Sequence, residues 1–424
     1  VRGRRLLIDT GPLRTNPQYR RLWSGYLVST FGSEITLVAV PFQVYRMTHS
    51  TLDVGLVSLA QLGPLLLGSF GGGAIADAFN RRRLLVVTQL LLAATSLGLA
   101  LNAHAARPAL WAVFVASAAA AGVSGVDGPT RSALVADLVE RDSLAQAMAL
   151  WQLMFSLNIV VGPALAGVLI GRFGLAAAYW VDVATFAVSL VSVLRLSFPA
   201  TTVVRQILNP AAFLGGLRYL ARHQVLQAVY LVDLNAMVFG MPRALFPALA
   251  VLRFHGGAET VGLLYAAPGA GALLGAASAG WVTTVRRQGL AVLIAVAGWG
   301  LAITAFGFAT ALAVALVLLV AAGAADVISA VFRSTILQLE APDELRGRLQ
   351  AVQTAVVTGG PRLGDLESGA VAAAIGVANS VIAGGAMCLV GVAVLAQRLP
   401  HFVSFVAHRS APDGDALGKS DVEG

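Results

Sequence analysis

Residues 310–332 read TALAVALVLLVAAGAADVISAVF, a run broken by a single ionisable side chain, Asp326. A helix over such a stretch crosses the roughly 30 Å apolar core of a bilayer at 1.5 Å per residue. The run does not alternate with period two, so it is no barrel strand. Comparable runs recur at 22–45, 54–76, 84–103, 109–129, 147–170, 175–196, 226–250, 260–284, 289–308, 349–376 and 378–397, twelve in all. Of the 424 residues, 57% are hydrophobic and 12% charged, about half the charged share of an ordinary soluble domain. Mean hydropathy is +0.79. No soluble core takes up that much apolar surface, so lipid is the solvent for most of the chain. The expected fold is all-α and membrane-spanning, with twelve transmembrane helices.

A formal net charge of +8 raises the question of a nucleic-acid partner. The placement of the charges answers it. Arginine supplies 28 of the 29 basic residues, mostly in short segments between apolar runs. With the N-terminus inside, the cytoplasmic segments and tails hold 23 of the 29, including Arg81, Arg82, Arg83, Arg131 and Arg333. The positive-inside rule therefore puts both termini in the cytoplasm. No nucleic acid is expected. The N-terminal arginines precede a long span rather than a short apolar segment with a cleavage site, so no signal peptide is expected. The lone Cys388 lies in the last apolar run and the six histidines show no metal-ligand spacing; neither a disulfide, a metal site nor a cofactor is expected.

Residues 197–225 form the longest polar interruption. They read as a cytoplasmic linker with a surface helix from about Pro210, carrying Phe213, Leu214 and Leu217 on one side and Arg218 and Arg222 on the other. Around it the chain divides into a cytoplasmic N-terminal segment 1–21, a six-helix half 22–196, a second half 226–397, and a disordered cytoplasmic tail 398–424. An internal repeat supports two pseudo-symmetric halves. Offset by 207, Val54-Gly55-Leu56 matches Val261-Gly262-Leu263 and Gly68 matches Gly275; offset by 202, Arg131-Ser132 matches Arg333-Ser334 and Gly167 matches Gly369.

GGGAIADAFNRRR (71–83) follows the second apolar run. It resembles the first inner loop of the major facilitator superfamily through Gly73, Asp77, Arg81 and Arg82. Ala78 and Asn80 depart from the family pattern, and Asn80 is expected to tolerate the positive φ that glycine would supply. Gly73 would let two helices approach closely, and Asp77 would latch onto a helix N-terminus or an arginine when the inner side is closed. The plain alternative makes the arginines topology determinants only. GPTRSALVADLVERDSLAQAMAL (128–150), MTHSTLDVGL (47–56), VGLLYAAPGAGALLGAASAG (261–280) and ELRGRLQAV (344–352) are similar to the branch containing the enterobactin exporter and macrolide-efflux-type proteins. The resemblance covers nearly the whole chain. It implies outward transport of a small molecule, siderophore-like or an amphipathic drug, driven by protons across a bacterial inner membrane. Relatives of this fold are usually monomers. Asn158 to Gly167, with Gly162 and Pro163, resembles the fifth-helix motif of the superfamily's antiporters, a bendable, closely packed helix; ordinary packing is the alternative reading.

Ionisable residues inside apolar spans each cost about 2.5–3.5 kcal/mol at mid-helix on insertion scales and need a partner or a purpose. Glu34 lies near the midplane of the first span, Asp233 and Arg243 in the seventh, Asp182 in the sixth and Asp326 in the tenth. The eleventh carries Arg362, Asp365 and Glu367. Arg362 and Asp365, three apart, share a face and are expected to pair; Glu367 lies roughly 200° around from Asp365 and addresses another neighbour. One reading is a static ion pair plus a cavity-facing acid. The other makes one carboxylate a proton carrier, in the order Glu34, Asp365, Glu367, Asp233, with Arg243 and Arg362 as charge partners that load or release it by moving. Asp182 could instead be structural, and Asp326 sits toward the inner interface. The competing classes are a polytopic enzyme, for which no catalytic cluster appears, a receptor or scaffold that transports nothing, and a proton-coupled importer of a small nutrient.

Overall fold

The structure, a computed structural model, describes residues 10–197, 215, 216, 218–342 and 345–406, leaving aside the side chains of residues 74, 76, 77 and 283. Residues 215, 216 and 218–220 of the expected surface helix are helical, while its start near Pro210 and the tail beyond residue 406 lie outside the described residues. Among the latter all regular structure is helical: α1 (Gly11–Thr15), α2 (Pro17–Thr48), α3 (Thr51–Ala78), α4 (Arg81–His104), α5 (Leu110–Leu138), α6 (Leu144–Leu194), α7 (Gln224–Phe239), α8 (Phe246–Leu252), α9 (Ala258–Ser278), α10 (Gln288–Phe308), α11 (Leu312–Glu340), α12 (Arg346–Ile375), α13 (Val377–Arg398) and α14 (Pro400–Val403). Asn16, Ser50 and Asn80 start α2, α3 and α4 by accepting the backbone N–H three residues on, as short polar side chains do at helix N-termini. Asn80 has φ −62°; it serves as a cap, not as the left-handed turn expected from the sequence.

Among the described residues, ten helical stretches are long and apolar enough to cross a membrane. One of them, Arg141–Leu194, takes in both expected spans 147–170 and 175–196. Its only residue of non-helical backbone is Gly174, at φ 85° and ψ 171°, a conformation glycine adopts without a Cβ penalty. There the chain folds back. Tyr19 in the first turn of α2 donates to the Ala147 carbonyl (2.8 Å), while Gln43 near its other end accepts from Tyr179 (2.6 Å). The helix over expected span 349–376, α12, is not among the ten. Expected span 226–250 is not continuous. It breaks after Phe239 and resumes through a 3-10 turn at Arg243–Leu245, because Pro242 has no N–H to carry the ladder on. Nor is the start of the C-terminal tail loose: Phe402 in α14 is buried and its carbonyl lies against Gly289.

Helices pack in two sets. In one, α2 lies on α6, α3 on α5, and α4 on both α5 and α6; in the other, α9 lies on α11, α10 on α11 and α13, and α7 on α12 and α13. The sets meet chiefly where α3 crosses α12 and α6 crosses α9. Both crossings lie toward the end of the bundle that carries the turns at 49–50, 174, 253–257 and 376, here called the hairpin end. A Cβ on Gly55 would stand 2.6 Å from the Asp365 carbonyl oxygen and 2.9 Å from Leu366 Cα; one on Gly167 would stand 2.7 Å from the Ala258 carbonyl oxygen and 3.0 Å from Gly262 Cα. The absence of side chains is what lets backbone meet backbone. The offsets of 207 and 202 recur here: Gly55 on Asp365 and Gly369 on Thr51 correspond to Gly262 on Pro163 and Gly167 on Ala258.

Gly73 does not make the close approach expected of it, since nothing lies within 4 Å of where its Cβ would be. Gly68 and Gly72 do, against the backbone of Gly122, Gly125 and Val126 on α5. One residue, about 100° of helix, separates Gly73 from that face.

Candidate functional site

Beneath the crossings lies a cavity of about 230 Å³. Its wall from the first helix set is rich in hydroxyls: Ser33 and Thr36 of α2, Ser58 of α3, Thr95 and Ser96 of α4, and Ser117 and Ser124 of α5, with the Gln61 amide beside Ser58. The second set contributes Arg243, Tyr265, Arg362 and Asp365, and the first adds the carboxylate of Asp182 on α6. Hydroxyls survive in these apolar helices because many bond their own preceding turn, as Ser33 does to the Ser29 carbonyl at 3.1 Å and Thr95 to Leu92 at 2.8 Å. Having donated their proton there, these hydroxyls keep both oxygen lone pairs available to a guest.

Asp365 is the hub. It accepts from Ser58 Oγ across the α3–α12 crossing (2.9 Å) and from the Ala244 N–H (3.1 Å), and pairs with Arg243 at 3.8 Å. The break after Phe239 thus delivers both a backbone donor and a guanidinium to one carboxylate. No ion pair under 4 Å joins Arg362 to Asp365 among the described residues, so the pairing expected from their spacing of three is replaced by Arg243. Three-residue spacing permits contact, but the 3-10 turn offers Asp365 a donor and a cation together. The Nε atoms of Arg243 and Arg362 are both buried without a hydrogen-bond partner. Tyr265 orients the turn by donating to the Arg243 carbonyl at 3.0 Å.

Glu34 packs against Gly162, whose missing side chain makes room for the Glu34 stem, and lies within electrostatic reach of Arg243. Glu34, Glu367 and Asp233 do not line the cavity. Asp182 does, and it is buried, accepting from Thr36 (2.6 Å) and Ser96 (2.7 Å). Three helices thereby converge on one carboxylate that has no cationic partner among the described ion pairs.

Two arginines assigned to cytoplasmic segments are buried instead. Arg131 is 0% exposed on α5, bonded to Asp127 (2.6 Å) and to Ser189 (3.2 Å), with Tyr26 stacked on its guanidinium at 4.6 Å. Thr88 and Gln89 complete the shell of Asp127, at 2.6 and 3.0 Å. Arg333 is 5% exposed on α11 and pairs with Asp233 at 2.8 Å. Both helices continue well past their apolar runs, carrying these residues inside the bundle. The signal that could have found the first pair was the i, i+4 spacing of Asp127 and Arg131.

In the expected gating loop, Arg81 pairs with Asp137 at the end of α5, and Arg82 donates to the Val193 (3.4 Å) and Leu194 carbonyls at the end of α6. Each arginine thus ties the start of α4 to a neighbouring helix C-terminus, where cations are favoured. The side chain of Asp77 lies outside those described. Gly162, Pro163 and Gly167 all fall on the faces of α6 that meet α2 and α9.

Comparison with known proteins agrees with this architecture. The sequence model of the transmembrane secretion effector family matches residues 9–414. The enterobactin exporter EntS of Salmonella typhi is 28% identical over 397 residues, covering 92% of this chain and 94% of that protein. That of Citrobacter koseri is 29% identical over 419 residues, covering 97% and 99%. Among solved structures, a bacterial homologue of the iron transporter ferroportin in its inward-facing state superposes with a TM-score of 0.69 at 16% identity, over 92% of this chain and 99% of that one. A bacterial homologue of the human lysosomal transporter Spinster, inward-facing and unoccupied, gives 0.68 at 16% identity, over 93% and 97%. These two likenesses show the fold. Matched over nearly its whole length, the chain belongs to the transmembrane secretion effector family, among the major facilitator superfamily transporters of the enterobactin-exporter branch.

Proposed function

We propose that this protein exports a siderophore-like small molecule across a bacterial inner membrane by alternating access, in exchange for protons. The observation that carries the reading is the central cavity, closed at the hairpin end by two glycine crossings and walled by hydroxyls and charges. Two six-helix halves, 22–196 and 226–397, rock about it in this reading, and the chain makes twelve crossings with both termini cytoplasmic. The arginine-rich end then faces the cytoplasm, even with Arg131 and Arg333 removed from the count, and the described state is inward-facing. In the opposite state the loop holding Gly73, Asp77, Arg81 and Arg82 closes the inner end. The cargo reading rests on the kinship with enterobactin exporters, and the protein acts as a monomer.

Glu34 is the carrier of choice. It sits where the α2–α6 contact meets the second helix set, and Arg243, its cationic neighbour, is also bound to Asp365. Rocking of the halves changes the distance between Glu34 and Arg243, so the proton affinity of Glu34 changes with access. In reconstituted vesicles, adding enterobactin is expected to evoke proton movement with the wild type and none with Glu34→Gln, while Asp365→Asn weakens substrate binding as well as coupling. Substrate movement without protons in the wild type would remove the antiport reading; no movement for any siderophore or lipophilic drug would remove the export reading.

A further inference from the structure

We propose that Asp326 is a second proton-exchange group, a site facing the inner solution and built from Asp326, Arg333 and Asp233 on α11 and α7. The inference goes beyond the antiport reading, on which its transport consequence rests. Arg333 reaches Asp233 at 2.8 Å and Asp326 at 3.8 Å, and donates to Ser329 at 2.8 Å. Gln353 of α12 donates to the other oxygen of Asp233 at 3.2 Å. One guanidinium therefore serves two carboxylates.

The internal repeat shows that this is not a structural requirement of the arginine. Offsets of 207 and 202 map Asp233 onto Tyr26, Asp326 onto Ser124, Ser329 onto Asp127 and Arg333 onto Arg131. In the first half the arginine has one carboxylate, from Asp127, and an aromatic ring from Tyr26. That site is electrically balanced. In the second half the carboxylate beside the arginine on its own helix has become Ser329, and two acids have appeared where the first half has Tyr26 and Ser124. One negative charge is left in excess inside an apolar bundle, where an uncompensated charge is strongly disfavoured. A proton relieves it.

Geometry selects which acid exchanges. The Asp233 side chain is 1% exposed; one oxygen accepts from Gln353, and the other lies 2.8 Å from the Arg333 guanidinium in charge contact without an aligned hydrogen bond. That of Asp326 is 36% exposed, and its one recorded partner is the longer contact to Arg333. Arg333 Nε and Gln353 Oε1 are buried with no hydrogen-bond partner, so the cluster has donor and acceptor capacity in hand for regrouping. Of the other groups packed on α11, α10 carries no ionisable side chain, and α9 brings only Glu259 and Tyr265, toward the hairpin end. On α7 the further titratable group is Tyr230, whose hydroxyl donates to the Leu349 carbonyl at 2.9 Å. With Asp326 protonated, Arg333 belongs to Asp233 alone and ties α11 to α7. With Asp326 ionised, the arginine is shared and that tie loosens. Proton release to the inner side is thereby coupled to helix packing in the second half.

The test is an infrared titration of the purified full chain in lipid nanodiscs, without substrate, between about pH 5 and pH 9. Wild type, Asp326→Asn and Asp326→Ser are compared, the last installing the side chain of the matching first-half position. A protonated-carboxyl band that titrates in wild type and is missing from both variants, at unchanged melting temperature, is the expected result. In vesicles the same variants are expected to retain substrate–substrate exchange and lose proton-driven transport by about tenfold or more. Wild-type and variant titrations that superimpose, with no carboxyl component lost beyond the one that belongs to Glu34, overturn the site. If the band is lost but wild-type vesicles move substrate without protons, the site stands and the antiport reading falls.

Discussion

Replacing Arg131 with methionine is expected to be the most damaging single change in the first half, lowering the melting temperature of the purified protein sharply. The guanidinium is fully buried and neutralises Asp127 at 2.6 Å. Methionine fills a similar volume but leaves a carboxylate in the bundle with only Thr88 and Gln89 as donors. Breaking a buried pair by removing one partner costs about 3–5 kcal/mol, and the lost stacking on Tyr26 adds about 0.5–2 kcal/mol. The companion change decides the cause. Arg131→Met with Asp127→Asn removes both charges and is expected to recover most of the loss. Were the double variant as unstable as the single one, packing of the long side chain rather than charge would be what the site needs.

The second large effect belongs to the hairpin end. Gly167→Val is expected to reduce transport by an order of magnitude while leaving the folded protein abundant. The three nearest atoms its Cβ would meet are all backbone, on Ala258, Glu259 and Gly262, so no side chain can swing aside to relieve them. Overpacking of this kind costs about 1–3 kcal/mol, and here it is charged only to the state in which α6 and α9 touch. That shifts a two-state equilibrium by roughly 5- to 150-fold toward the state open at the hairpin end. Spin labels on α3 and α12 would read the shift as longer distances, and the single, buried Cys388 makes site-directed labelling clean. Gly369→Val, at the matching position, should behave alike. Unchanged distance distributions in both variants would show that the crossings are not the closing contact.

The long apolar runs made the helices legible, because lipid leaves the backbone no partner but itself. What composition could not show was where a helix continues through polar sequence. Runs of hydropathy end near residues 129 and 332, yet α5 extends to Leu138 and α11 to Glu340. Arg131 and Arg333 were therefore assigned to the water side when they are buried among helices. The break near Gly240 was likewise invisible to hydropathy, though Gly240 and Pro242 announce it in hindsight. The charged members of the cavity were found because ionisable side chains in a span are costly enough to stand out. Its hydroxyl wall was not. Serine and threonine are cheap in a membrane helix once bonded to their own preceding turn, so nothing in the sequence marks which of them face a guest.

The two glycine crossings bear on how such a protein diversifies. At Gly55, Gly167, Gly262 and Gly369 the neighbouring backbone leaves no volume for any side chain, so a lineage cannot explore these positions without losing closure. The hydroxyl wall lies one layer below and, Ser58 with its bond to Asp365 apart, touches none of that constraint. Selection for a new cargo therefore has a set of positions it can rewrite independently of the machinery that opens and shuts, and a change of substrate between relatives should appear as substitutions along the cavity faces of α2 to α5, with the four glycines untouched.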